Sequence, residues 1–301
     1  MDTVGLVLWA TGNRANIMLH DEEFHLVIPG RWRLDQETTR SLVPGDKVEL
    51  RRDVRDWKMV QPLSRENEFT RRFPGIRKPT PQTMAANIHR VIIVASATNP
   101  ATPNGLIDRL LVTAALGNVP SILLINKIDL AECKRLSYLE RVYQNAVDDI
   151  LFTSAVTGDG ISCLSDMLLS NITLFAGSSG VGKSTLLNKI DPDLDLKTGE
   201  ISQATGKGRH ITSSGQLHHL KPDGWVIDTP GLRECEPWGM TRIVLGRCFR
   251  EFGKLAPFCR FRDCVHNQET GCAVKSAVGT DALTVERYES YLKLLQEAHP
   301  E

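Results

Sequence analysis

From about residue 85 the chain carries continuous apolar runs, RVIIVASA, VPSILLIN, DDILFTSA, ITLFAG and GWVIDTPG, separated by stretches of helical length. Such runs predict strands buried on both faces with crossover helices between them, an α/β domain with a mostly parallel sheet over residues 85–235. Residues 1–66 read differently. Shorter runs (VGLVLWA, NIML, HLVI, DKVEL) are broken by turn signals at Thr11-Gly12-Asn13, Pro29-Gly30 and Pro44-Gly45, which predicts a small all-β unit, a five-stranded barrel of the OB type. Between the two, RRFPGIRKPTPQT has three prolines and no apolar periodicity, so residues 67–84 are expected to be a linker. After Glu236 the strand runs stop. The segment LTVERYESYLKLLQ puts Val285, Tyr288, Leu292 and Leu295 on one helical face, and residues 236–301 are expected to form a small α-rich domain.

Composition adds limits. The chain has 301 residues, 41% of them hydrophobic and 24% charged, an ordinary globular balance. Its apolar runs fall short of the ~18–20 residues that span a bilayer, and Asp2 stands where a signal peptide carries positive charge. Seven cysteines, three of them crowded beside a histidine, suggest reduced thiols and a metal site, hence a cytoplasmic location. The formal net charge is zero, so any affinity for nucleic acid must come from a local patch. One basic stretch runs from Arg51 to Lys78, and reads either as such a patch or as a solvated strand edge and linker.

The chemistry is carried by four short motifs. GSSGVGKS, from Gly177 to Ser184, follows the strand-like ITLFA and precedes the helical STLLNKI, the context of a phosphate-binding loop. The backbone of Gly177, Ser178, Ser179, Gly180, Val181 and Gly182 can close around phosphate oxygens, Lys183 reaches the β and γ phosphates, and Ser184, with Thr185 behind it, can ligate Mg²⁺. VIDTPG places Asp228 at a strand end, where its carboxylate can hold Mg²⁺ through water, and the Gly231 N–H can meet a γ-phosphate. In NKID, after Asn126 and Lys127, Asp129 can accept hydrogen bonds from guanine N1–H and the exocyclic amine, groups adenine does not present there. In TSA, Ser154 and Ala155 leave another strand, and the Ala155 N–H can bond guanine O6. The cofactor expected is therefore GTP or GDP with Mg²⁺.

The motifs occur in the order NKID, TSA, phosphate loop, DTPG, a circular permutation of the usual GTPase. In a parallel sheet all four lie at the carboxyl ends of strands, so the site depends on adjacency in space and survives reordering. The residue after DTPG is Leu232, where many GTPases carry a glutamine that orients the attacking water. GKGRHITSS, in the position of a first switch, offers His210 for that task and Thr212 as a ligand of Mg²⁺ and the γ-phosphate. The alternative for His210 is a basic loop that touches a partner. Finally, CRFRDCVHNQETGC gives Cys259, Cys264, His266 and Cys272, a full tetrahedral set for a structural Zn²⁺ with no open position for water. Cys133, Cys163, Cys235 and Cys248 lack such company and are expected to be buried small hydrophobes.

This succession of motifs, with C-x4-C-x-H-x5-C at its end, resembles the bacterial ribosome small-subunit-dependent GTPase A family (RsgA/YjeQ) over residues 85–275, and the N-terminal β unit agrees with that family's OB-fold in position and size. The sequence itself demands neither membrane attachment nor more than a monomer, and the resemblance implies a GTPase that binds the small ribosomal subunit and its rRNA late in maturation and is stimulated by it. It implies RNA contacts from the OB-fold and zinc domains, His210 as the proposed catalytic histidine, and Thr212 as the switch threonine. One departure is that the family's H-T-T-T reads His210, Ile211, Thr212, Ser213. Because glutamine is missing, a GTP-dependent RNA-binding scaffold with incidental hydrolysis is the competing expectation.

Overall fold

A computed structural model describes residues 2–30, 32, 41–53, 56–73, 79–197, 215–229, 232 and 234–299. His210, Ile211, Thr212, Ser213 and Gly231 lie outside the described residues, as do Arg55, Arg77 and Lys78 of the basic stretch.

The N-terminal sheet contains β1 (Asp2–Thr11), β2 (Arg14–Leu19), β3 (Glu22–Val27), β4 (Lys47–Asp53) and β5 (Asp56–Pro62), all paired antiparallel in the order β3-β2-β1-β4-β5. This is the strand order of an OB barrel. Its edges β3 and β5 meet through side chains, Phe24 standing edge-on to Trp57 at 6.4 Å. Alternate residues such as Val7, Ile17, Val48 and Leu50 fill the interior because successive side chains of a strand point to opposite faces.

The segment expected to be a linker is mostly a hairpin of β6 (Glu68–Arg72) and β7 (Pro81–Ala86). Its apolar residues, Phe69, Met84 and Ala85, are buried in the main core, but they are too few and too widely spaced to show as a periodic run. The basic stretch is likewise partly structural. Arg65 donates to Asp46 at 2.7 Å and to Glu68 at 2.8 Å with its side chain 6% exposed, and Arg72 pairs with Glu236 at 2.5 Å.

The central sheet runs β10-β9-β8-β11-β13-β12. Strands β8 (Arg90–Ser96), β9 (Ser121–Asn126), β10 (Asp149–Thr153), β11 (Ile172–Ala176) and β13 (Trp225–Asp228) are parallel, and β12 (Gln216–His219) pairs antiparallel with β13. Helices α1 (Asn104–Leu116) and α2 (Cys133–Tyr143) pack on the face presented by Ile93, Ala95, Leu123 and Ile125. Helices α3 (Ile161–Leu168) and α4 (Lys183–Ile190) cover the other, presented by Ile92, Val94, Leu124 and Phe175. Both faces are thus buried, which is why the strands read as unbroken apolar runs. The chain winds from β8 outward through β9 to β10, then returns to β11 on the other side of β8. This reversal creates a crevice at the carboxyl ends of β8 and β11.

The C-terminal part contains α5 (Arg242–Cys248), α6 (Arg250–Gly253), α7 (Ala273–Ser276) and α8 (Val285–Glu297) around Phe249, Phe252 and Tyr291. The buried face of α8 is rotated from the expected one. Arg287, Ser290, Tyr291, Leu294 and Leu295 are buried, whereas Val285 is 46% exposed. The cause is a charge: Arg287 turns inward between Asp108 of α1 and Glu251 of α6. Among the described residues, no helix is long and apolar enough to cross a membrane.

Candidate functional site

Strand β11 ends in the loop Gly177–Gly182, and α4 begins at Lys183. Gly182 adopts φ 100°, and a side chain there would collide with the Asn126 amide, so glycine is required both by its dihedral angle and by close approach. Lys183 is buried, and its Nζ donates to the carbonyls of Gly177 at 3.0 Å and Ser178 at 3.2 Å. Burial lowers its pKa, an effect that the Asp228 carboxylate opposes. Ser178, Ser179 and Ser184 are partly exposed, Gly180 and Thr185 are exposed, and Val181 packs into the core below the loop.

Asn126 fastens three motifs together. Its Nδ2 donates to the Val181 carbonyl at 2.8 Å, and its Oδ1 accepts from Thr153 Oγ1 at 3.2 Å. Lys127 reaches the same loop, donating to the Gly180 carbonyl at 2.7 Å. Its pKa is lowered by partial burial, against the pull of Asp129. Asp129 is exposed at the end of β9, and Ser154 Oγ donates to its Oδ1 at 2.6 Å, which ties NKID to TSA and fixes the carboxylate beside Ala155.

Asp228, at the end of β13, accepts from Ser184 Oγ at 3.0 Å through Oδ2, while its buried Oδ1 has no partner among the described residues. Burial raises its pKa despite Lys183, Ser184 and His218. Thr229 Oγ1 donates to the Phe175 carbonyl at 2.8 Å, and the Leu232 N–H to the Gly177 carbonyl at 2.9 Å, so the chain beyond Asp228 lies against the phosphate loop. The Leu232 side chain is 2% exposed and belongs to the main core with Leu217 and Ile227. A residue held in the core and without a polar group cannot orient a water. The structure thus gathers Asn126, Lys127, Asp129, Ser154, Ala155, the phosphate loop, Ser184 and Asp228 at the crevice where the winding reverses.

The sequence model of the RsgA GTPase family matches residues 63–238. The chain belongs to the RsgA GTPase family. It is a GTP-hydrolysing enzyme with a circularly permuted domain. It is 36% identical over 299 residues to the "Small ribosomal subunit biogenesis GTPase RsgA" of Gemmatimonas aurantiaca, covering 98% of this chain and 97% of that protein. The protein with the same description from Chlorobaculum parvum is 38% identical over 269 residues, 87% of this chain and 86% of the relative. Among solved structures it is similar to YjeQ from Thermotoga maritima, with TM-score 0.79 and 31% identity over 99% of this chain and 98% of that one. It is also similar to YloQ, described as a circularly permuted GTPase, with TM-score 0.73 and 27% identity over 99% and 95% of the two chains.

Away from this crevice, the ligand atoms of Cys259, Cys264, His266 and Cys272 lie within 4.8 Å of one another. Cys259 Sγ is 3.9 Å from Cys272 Sγ and 3.6 Å from His266 Nδ1, and Cys272 Sγ is 3.5 Å from that nitrogen. A tetrahedron with zinc–sulfur and zinc–nitrogen bonds of ordinary length has edges of about 3.8 Å between sulfurs and about 3.6 Å between sulfur and nitrogen. Glu269 braces the turn by accepting from the N–H groups of Val265 and Asn267, both at 2.8 Å. Tyr288 and Tyr291 of α8 donate to the His266 and Val265 carbonyls at 2.8 Å and 2.6 Å. These supports went unread in the sequence, where only Tyr288 was placed on a helical face. Of the remaining cysteines, Cys235 is buried but Cys133 and Cys163 are exposed, contrary to expectation. They stand at the N-terminal ends of amphipathic helices, where a small residue on the outer face costs little.

Proposed function

We propose that the protein hydrolyses GTP while bound to the small ribosomal subunit late in its maturation, as an assembly checkpoint whose turnover the subunit stimulates. The observation that carries this reading is the gathering of Asn126, Asp129, Ser154, the glycine-rich loop and Asp228 in one crevice beside a Leu232 that is buried in the core. Lys183, Ser184 and Asp228 meet beside the glycine-rich loop, whereas Leu232 stands where many GTPases carry a water-orienting glutamine, which favours an enzyme whose turnover waits on a partner. The relatives are named for small ribosomal subunit biogenesis, which supports that subunit as the partner.

In this reading Asp129 selects guanine and the Ala155 N–H meets O6. The loop from Gly177 to Gly182 cradles the phosphates, and Lys183 neutralises charge that develops on them. His210 orients the attacking water, and Thr212 and the Gly231 N–H are ligands of the γ-phosphate. The buried Oδ1 of Asp228, without a partner among the described residues and with Ser184 Oγ adjacent, fits a Mg²⁺ held by Ser184, Asp228 and Thr212. Bound with nucleotide, Mg²⁺ would supply neutralisation of the β and γ oxygens. The distances among Cys259, His266 and Cys272, with Cys264 within 4.8 Å of them, fit Zn²⁺, which would hold the C-terminal region together without chemistry. The OB sheet over residues 1–66 and the metal-binding region over 236–301 would contact rRNA, and the protein would act as a cytoplasmic monomer.

The test is GTP turnover with and without small subunits, on the native protein and on Asp129→Asn. A large subunit-dependent rise, lost in the variant together with guanine selectivity, is the expected result. Binding to the subunit without any rise would overturn the checkpoint reading in favour of a GTP-dependent RNA-binding scaffold.

A further inference from the structure

The loop between β8 and α1, residues 97–103, belongs to none of the guanine-nucleotide motifs, yet it rests on two of them. Lys127 Nζ, which donates to the Gly180 carbonyl, also donates to the carbonyl of Asn99. The Ala97 N–H donates to the Asn126 carbonyl at 3.2 Å, and a methyl group on Gly180 would stand 3.8 Å from Pro100 Cδ, in van der Waals contact. The loop therefore forms a third wall around the Lys127 ammonium, beside NKID and the phosphate loop.

Its shape is fixed locally. The Ser96 N–H donates to Thr102 Oγ1 at 2.9 Å and the Thr102 N–H returns to the Ser96 carbonyl at 2.9 Å, while Ser96 Oγ donates to the Thr98 carbonyl. Within this closed turn Asn99 is exposed and adopts φ 47°, the left-handed region that Asn and Gly enter and β-branched residues resist. Among the described residues, none is hydrogen-bonded to its side chain. The demand at this position is on the backbone, and it aims one carbonyl at Lys127.

A lysine side chain has four rotatable bonds, and binding that needs it in one conformation is weakened by the freedom it must give up. Two carbonyls from two different loops hold Lys127 in place. We propose that Asn99 is a positioning residue of the nucleotide site, which holds the β8–α1 loop in the turn that fixes Lys127 and so sets affinity for GTP and GDP alike. The inference rests on the reading of Lys127 and the phosphate loop as the nucleotide site. An effect made equally in ground and transition states appears in binding and KM and leaves kcat unchanged.

The experiment uses the full chain and a fluorescent GDP analogue in equilibrium titrations, with steady-state GTP turnover alongside. Asn99→Val, which resists φ 47°, is expected to raise the Kd for GDP and the KM for GTP about tenfold at constant kcat, and Asn99→Gly, which accepts it, to stay within about threefold. In a Lys127→Met background, Asn99→Val is expected to have no further effect, because its action passes through the ammonium. A general loss of packing would instead add to Lys127→Met. Native-like binding by Asn99→Val, or a full tenfold loss on top of Lys127→Met, overturns the proposal. If Lys183→Ala also binds the GDP analogue normally, the reading of the nucleotide site itself fails. If Lys183→Ala loses binding and Asn99→Val does not, only the role of Asn99 falls.

Discussion

Replacing Arg287 by methionine removes one cation from between two buried carboxylates and keeps most of the volume. Arg287, Asp108 and Glu251 have side chains 3%, 1% and 2% exposed, and the guanidinium donates to Glu251 at 2.7 Å and to Asp108 while lying 4.5 Å from the Phe249 ring centre. Burial opposes its charge, and Glu251 with Asp108 outweighs burial, so its pKa is held above the ordinary range. Deleting one partner of such a pair costs about 3–5 kcal/mol, because an uncompensated charge stays in the interior. Asp108 sits on α1 and Glu251 on α6, so the loss falls on the seam between the nucleotide-binding sheet and the C-terminal helices. At about 1.4 kcal/mol per decade, amides near Ser290–Leu295 should exchange with solvent about 150- to 5,000-fold faster, measured by hydrogen–deuterium exchange at constant pH. Adding Asp108→Asn and Glu251→Gln should restore much of the protection, since the cost lies in the charges. Acceleration below about tenfold in Arg287→Met, or a triple variant no better than the single one, would refute this electrostatic account.

Three further outcomes follow from the same geometry. Removal of metal by a chelator, or Cys259→Ser, should release the turn around His266 and lower the thermal midpoint by more than about 5 °C, read by calorimetry with metal content measured in parallel. Cys133 and Cys163 should be alkylated at pH 8 well before Cys248, whose pKa burial pushes up to about 12. Because this exceeds the unfolded value near 9.0, its contribution to stability should hold below pH 9 and decline from about pH 9 to 12, readable in denaturant midpoints against a Cys248→Ala control. Hydrogen exchange over residues 236–272 should differ between GDP and a GTP analogue, because the chain leaving Leu232 is fastened by the Arg72 N–H to the Glu236 carbonyl at 2.8 Å and by Thr113 to Cys235 at 3.3 Å. Identical exchange in the two states would remove that coupling.

The parts legible in the sequence share one property: each is written in a few adjacent residues. NKID, TSA, GSSGVGKS and DTPG could be read without knowing the fold, and the buried strands around them announce themselves by their apolar runs. The permutation was readable for the same reason, since it alters the order of local signals and leaves each intact. What escaped was carried by single residues far apart. Arg287 meets Asp108 across 179 positions, and in a helical pattern it reads as a solvent-facing charge, so the inward face of α8 was assigned to Val285 instead of Arg287. The β6–β7 hairpin was missed because prolines and charges outweigh its four buried apolar residues, Phe69, Met84, Ala85 and Ala86. Lys127 belongs to both kinds. Its motif identifies it, but the carbonyl of Asn99 that holds it comes from a loop whose only mark in the sequence is an ordinary turn. Motifs thus name the groups gathered at the crevice, while the loops packed against those groups become visible only when the chain is folded.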